Sequence, residues 1–119
     1  MLDQKRILIT GSSRGIGKAT AQLAQQLGAR VVIHGKEDSE SLKSLAQELQ
    51  AEYITFDAID QDSTNRGVEK AIEKLGGIDG LINCVGAPAV KKFLETSDED
   101  WLDAYKSNFL SIVHICKAV

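Results

Sequence analysis

Two kinds of apolar spacing alternate along the chain. Short solid runs, Ile7-Leu8-Ile9, Val31-Val32-Ile33 and Leu81-Ile82, fit strands buried on both faces of a parallel sheet. Between them apolar residues recur every three or four positions, the spacing of an amphipathic helix. The first run ends at Thr10 and gives way to a turn punctuated by Gly11, Gly15 and Gly17. Ile16, Thr20, Leu23, Ala24 and Leu27 then share a helical face, and Gly28 stands where a left-handed C-cap belongs. Residues 30–34 predict a second strand. Residues 39–50 predict a helix with Leu42, Leu45, Ala46 and Leu49 on one side.

A third strand is expected over 53–56, closed by Asp57. The next helix, capped by Asp62 or Ser63, has Val68, Ala71, Ile72 and Leu75 on its apolar face and stops at Gly76-Gly77. Residues 80–85 predict a fourth strand ending at Gly86, and 87–95 a loop with the only proline, Pro88. Ser97 and Asp100 form a capping-box pair that opens a final helix. Its apolar positions are Trp101, Leu102, Tyr105, Phe109, Ile112, Val113 and Cys116, with Trp101 and Tyr105 expected in a core or an interface.

Alternating strands and helices with short connections predict an α/β fold in one domain over residues 1–119. The expected architecture is a Rossmann-like, doubly wound parallel sheet in the order 3-2-1-4, with helices on both faces. Four strands are fewer than the six of a full dinucleotide-binding fold, and the last helix runs to Val119 with unbroken periodicity. The expectation is a fold truncated at its C-terminal side, with strand four an open edge.

Composition narrows the function classes. At 119 residues, 43% hydrophobic and 26% charged, the chain suits one ordinary domain with one core. A net charge of −3 gives no electrostatic footprint for nucleic acid. No apolar stretch reaches the roughly 18 residues of a membrane span. Residues 1–6 lead straight into the first strand without the pattern of a signal peptide, and Cys84 and Cys116 read as buried free thiols. Together these point to the cytoplasm. His34 and His114 have no neighbours at metal-ligand spacing, so both read as structural and no metal is expected.

The first turn carries the chemistry. Glycines let the backbone turn tightly and approach a pyrophosphate, whose charge is met by free N–H groups and the positive end of the helix dipole. The general dinucleotide fingerprint is G-x-G-x-x-G. Here the order is Thr10-Gly11-x-x-x-Gly15-x-Gly17, between a strand and a helix. This variant resembles the cofactor loop of the short-chain dehydrogenase/reductase family, with its T-G-x-x-x-G-x-G signature. Thr10, Gly11, Ser12, Ser13, Arg14, Gly15, Ile16 and Gly17 are therefore candidate cofactor contacts. The resemblance extends across essentially all 119 residues and covers roughly the first half of a family member.

Asn83-Cys84-Val85-Gly86 ends strand four where the family has N-N-A-G. Its middle positions depart from that pattern, so Asn83 and Gly86 carry over best, to the ribose side of the cofactor. Asp57 stands where the family places an Asp against the adenine amino group, and a carboxylate suits that donor. As a lone Asp at a strand end it equally reads as a solvated loop residue or a local cap. After strand two, NAD enzymes place an acid for the ribose 2′-hydroxyl. This chain has His34-Gly35-Lys36, with glycine at the acid's place. Lys36 and Arg14 converging on a 2′-phosphate would favour NADP(H) over NAD(H). At about 1.5–3 kcal/mol for each charged hydrogen bond, the preference is about a hundredfold or more. Glu37 and Asp38 work against it, and two solvated cations are the plain alternative. Asn108, on the apolar side of the last helix, corresponds to an Asn in the family's catalytic set, linked through water to an active-site Lys. A structural hydrogen bond is its competing account.

The resemblance implies hydride transfer between NADP(H) and a carbonyl or alcohol, with a Tyr as acid/base, a Lys four residues on and a Ser. Tyr53 is followed at that place by Asp57, and Tyr105 by Phe109. The chain is thus expected to hold a nicotinamide dinucleotide and not to turn over alone. Two other readings stand beside this one. One is a dinucleotide-binding module without chemistry. The other is an interaction protein whose last helix and strand-four edge form a homo-oligomer or take a complementing chain.

Overall fold

The computed structural model describes residues 1–88 and 90–119. The strands are β1 (Arg6–Thr10), β2 (Arg30–Gly35), β3 (Glu52–Thr55) and β4 (Gly80–Asn83). They form one parallel sheet in the order β3-β2-β1-β4, with Ile7 opposite both Val31 and Gly80, and Ile33 opposite Tyr53. Three helices connect them: α1 (Gly15–Gln26), α2 (Glu40–Leu49) and α3 (Gln61–Leu75). After β4 come a short 3-10 turn, Phe93–Glu95, and two further helices, α4 (Asp98–Tyr105) and α5 (Ser111–Ala118). A π-helical turn, Lys106–Leu110, joins this last pair.

Side chains alternate across the sheet, so each strand feeds two cores. Ile7, Ile9, Val31 and Ile33 pack with Ala21 and Ala24 of α1 and with Leu42, Leu45 and Leu49 of α2. Leu8, Val32, Ile54 and Phe56 pack on the opposite face with Val68, Ala71 and Leu75 of α3 and Ile115 of α5. Each such side chain removed from water contributes about 1.5–3 kcal/mol. The expected sheet, its order and its two helical layers are all present.

The differences are local. α3 is capped by Asp60, whose carboxylate accepts from Ser63 N–H at 2.8 Å, and not by Asp62 or Ser63. Its buried face begins with Thr64 and Gly67, which an apolar count passes over. β4 stops at Asn83, two residues short of expectation. β1 has ended by then, and Gly11 at φ +62 carries the neighbouring backbone away. The loop expected over 87–95 includes Ala89, which lies outside the described residues, and it closes with the 3-10 turn.

The last helix departs most. Expected to be continuous, it is interrupted by the π turn, and only Ser111 and Ile115 of α5 are buried. Trp101 and Tyr105, expected in a core or an interface, are about half exposed, at 50% and 49%. Trp101 meets Phe93 edge-on at 6.1 Å and Tyr105 stacks on Phe109 at 5.4 Å. α5 is held where it crosses α3: His114 Nδ1–H donates to Ala58 O at 2.8 Å, and Gln61 Nε2 donates to His114 O at 3.4 Å.

Candidate functional site

The carboxyl ends of the strands open into one cavity of about 690 Å³. β1 lies between β2 and β4, so the connections leave it in opposite directions, and crevices at such a switch point are where open α/β sheets hold ligands. The glycine turn forms its floor. A Cβ on Gly11 would lie 2.6 Å from Cys84 O, and one on Gly17 would collide with the Gly11 carbonyl. The turn is packed so closely on β4 and on itself that side chains at these two places have no room.

α1 begins without a cap. Arg14, in extended conformation at its N-terminus (φ −157, ψ 173), makes no side-chain cap bond, and the first turn carries no acidic residue. The leading N–H groups of a helix have no intrahelical acceptor, and the dipole adds about half a positive charge there. Gly11, Ser13, Arg14, Gly15, Ile16 and Gly17 all line the cavity at this point. Ile16 is 82% exposed, an apolar side chain held out at the cavity wall.

Thr10 and Ser12 are fully buried behind the turn. Thr10 Oγ1 donates to Asn83 Oδ1. Ser12 Oγ donates to Ile9 O at 2.7 Å and accepts from His34 N–H at 2.9 Å. Their side-chain groups are spent within the fold, so they shape the turn from behind. Asn83 reaches the cavity from β4, and its Nδ2 is a buried donor without a partner.

His34 ties the turn to the neighbouring strands. Gly11 N–H donates to Nδ1 at 3.0 Å, and Nε2 lies 2.9 Å from Phe56 O. An amide N–H can only donate and a carbonyl can only accept. The ring is therefore the neutral tautomer with its proton on Nε2. Burial pushes its pKa down to about 4, and the bond to Phe56 O opposes that shift. By sequence His34 reads as structural only. Its signal was a polar residue at the end of an apolar strand, level with the glycine turn.

The far rim carries Lys36, Asp57 and Ile59. Lys36 Nζ lies 3.8 Å from Asp57 Oδ2, and Asp57 Oδ1 accepts from Ile59 N–H at 3.2 Å. Gly86 and Ala87 close the β4 side. Asn108, in the π turn, does not line the cavity. Its Oδ1 accepts from Ala87 N–H at 3.1 Å, and its Nδ2 donates to Ala87 O at 2.9 Å and to Ala104 O at 3.0 Å. That side chain pins the loop after β4 to the last helices. Phe56, Ala58 and Ser107, which carry no sequence signal for a site, complete the walls.

Sheet order, glycine turn and cavity together define a Rossmann-like α/β protein whose uncapped helix start lines the strand-end cavity. The chain belongs to the short chain dehydrogenase family, whose model matches residues 5–119. It is 37% identical to gluconate 5-dehydrogenase of Gluconobacter oxydans, over 99% of this chain and 48% of that protein. It is 32% identical to the 3-oxoacyl-(acyl-carrier-protein) reductase FabG of Chlamydia muridarum, over 100% of this chain and 50% of that one. Among solved structures it is similar to a dehydrogenase/reductase from Sinorhizobium meliloti, with a TM-score of 0.93, 27% identity, and coverage of 98% of this chain and 48% of the other. It is also similar to actinorhodin polyketide ketoreductase with NADPH, with a TM-score of 0.90 and 28% identity over 99% and 47% of the two chains. The chain spans about half the length of the curated relatives it matches. Among the described residues no helix is long and apolar enough to cross a membrane.

The family binds nicotinamide dinucleotides. The residues present fit such a ligand on three counts: the uncapped start of α1, a turn with no room for a Cβ at Gly11 or Gly17, and the unpartnered amide of Asn83 beside it.

Proposed function

We propose that residues 1–119 form the NADP(H)-binding domain of an oxidoreductase that moves hydride between NADP(H) and a carbonyl or alcohol. The observation that carries this reading is the uncapped N-terminus of α1 opening, through the glycine turn, into the strand-end cavity. The dinucleotide, when bound, supplies or accepts the hydride. The chain's own part is to bind and orient it. N–H groups of 13–17 meet the pyrophosphate, with Thr10, Gly11 and Ser12 holding the turn in shape. Arg14 and Lys36 meet the 2′-phosphate and Asp57 the adenine amino group. Asn83 and Gly86 flank the ribose, and Asn108 holds the loop after β4 and belongs to the proton-relay set.

The preference for NADP(H) rests on two cations at the rim and on Gly35 at the place of an acid. The test is calorimetric titration of the purified chain with NADPH and NADH in parallel. Tighter NADPH binding supports the reading. Equal or tighter NADH binding overturns the cofactor choice, and no binding of either by a folded chain overturns the cradle.

A second reading concerns partners. Trp101, Leu102 and Phe109 on the last helical segment are 50%, 59% and 55% exposed, and Trp101 adjoins Phe93 while Phe109 adjoins Tyr105. Isolated exposed apolar residues are ordinary, but a contiguous patch favours an interface. Self-association through α4 and α5, or cover by a complementing chain there and along the free edge of β4, accounts for it. Light scattering separates these from a monomer.

A further inference from the structure

We infer that His34 is a positioning residue for the cradle: its imidazole aims the glycine turn by taking the Gly11 N–H, leaving the donors of 13–17 for the ligand. This inference rests on the dinucleotide reading above. Gly11 sits at φ +62 and has no side chain of its own, so its place in the turn is fixed by what its backbone groups bond to. Its N–H points into the protein, to His34 Nδ1 at 3.0 Å. The next amide, Ser12 N–H, is taken by His34 O at 2.9 Å. Both donors at the root of the turn are thus spent on one residue of β2. Only those further along, where α1 begins without a cap, remain to face an anion.

The other ring nitrogen reaches across the sheet. Nε2–H donates to Phe56 O at 2.9 Å, next to Asp57 on the far rim. One buried ring therefore spans two walls of the cavity, the glycine turn and the loop after β3. His34 is only 2% exposed, and its ring lies against that of Phe56 with centroids 3.9 Å apart and planes tilted by 31°. Turning it over would put C–H groups where the acceptor and the donor stand. Its two bonds also have different consequences. Loss of the Gly11 bond frees the turn, whereas loss of the Phe56 bond loosens the start of the loop after β3 and leaves the turn held.

Two substitutions separate the bonds, because an Asn oxygen overlies the Nδ1 position of histidine and a Gln nitrogen the Nε2 position. His34→Asn keeps an acceptor for Gly11 and loses the Phe56 link. His34→Gln keeps a donor for Phe56 and loses the Gly11 link. Each leaves one buried group unpaired, so both destabilise the chain comparably. Calorimetric titration with NADPH is expected to show His34→Asn within about threefold of the unaltered chain and His34→Gln weaker by about tenfold or more. Equal losses in the two variants, or a loss only in His34→Asn, would overturn the inference, since a purely structural histidine makes no such distinction. The same titration on the unaltered chain tests the reading beneath it. If that chain is folded and does not bind, the dinucleotide reading falls and the cradle role of His34 with it. Nitrogen-15 NMR of the unaltered chain covers the case in which both variants fail to fold. A neutral ring at neutral pH, with Nδ1 bare and coupled to the Gly11 amide, is expected. A proton on Nδ1 overturns the inference.

Discussion

Lys36 Nζ stands 3.8 Å from Asp57 Oδ2, so the cation proposed for the 2′-phosphate is already paired with the carboxylate proposed for the adenine. The lysine side chain is 67% exposed. Exposed pairs of this kind contribute at most about 1 kcal/mol, so a phosphate with two formal charges can draw the ammonium away. The pair keeps both groups at the rim, and neither is locked there.

Cofactor selectivity follows from that arrangement. Lys36→Ala and Arg14→Ala are each expected to weaken NADPH by about tenfold or more while leaving NADH nearly unchanged. Asp57→Ala should weaken both dinucleotides by a similar factor, because the adenine is common to them. Parallel titrations of the three variants give the NADPH/NADH ratio directly. A lysine variant that lowers both affinities alike would remove Lys36 from the 2′-phosphate.

Close packing makes Gly17 the most sensitive point of the turn. Gly17→Ala forces a Cβ into the Gly11 carbonyl and pushes the turn off the sheet. Dinucleotide affinity should fall by at least about tenfold, since the donors of the turn lose their common aim. Gly15→Ala meets no neighbour within 4 Å and is strained only by its φ of +59, so a milder loss is expected. Titration of the two variants side by side ranks them.

Much of this was legible in the sequence, for reasons visible in particular residues. Apolar runs at Ile7–Ile9 and Val31–Ile33 mark strands because both faces of the sheet are covered, and the glycine spacing marks the turn that follows. The cap of α3 stands two or three residues ahead of Asp62 or Ser63, because Thr64 and Gly67 head its buried face and neither is apolar. The last helices were harder. An apolar periodicity there signals a face that needs cover, but the cover is not in the sheet: Ile115 reaches the core while Trp101 and Phe109 stay outside. His34 was legible as a strand residue only. That its ring joins Gly11 to Phe56, 23 and 22 positions away in sequence, depends on strand order.

The cap of α3 can be checked by stability alone. Asp60→Ala removes the acceptor of Ser63 N–H and is expected to cost about 1 kcal/mol. Asp62→Ala, which removes only a first-turn carboxylate, should cost a few tenths of that. Urea denaturation of both variants distinguishes them.

Stability should also depend on pH in two windows. His34 has a folded pKa of about 4, below its usual value of 6.5, so the unfolded chain takes up its proton first as pH falls. The stability of the neutral buried ring is complete above pH 6.5 and is lost progressively down to about pH 4, a loss on the order of 3 kcal/mol. Asp79, bonded to Arg6, and Asp100, bonded to Lys91, are both held well below the usual carboxylate range. Their contribution is present above the ordinary carboxylate pKa and is lost on further acidification. Denaturation curves across the acid range should therefore fall in two stages, and His34→Asn should flatten the first.

The proposed interface makes its own prediction. Trp101→Glu with Phe109→Glu places charge at exposed apolar positions without touching either core. If the chain self-associates through this face, light scattering should show the variant at half the mass of the parent or less, with unchanged helical content. An associated variant would place the interface elsewhere.

The cradle itself is tested most directly by proton–nitrogen NMR of the chain titrated with NADPH. The amides of Ser13, Arg14, Gly15, Ile16 and Gly17 are expected to shift together and saturably, followed by those around Asp57 and Gly86. Gly11, its N–H already held by His34, should move less than they do. Shifts that leave 13–17 untouched, in a chain whose other resonances report a folded state, would contradict the assignment of this turn as a dinucleotide site.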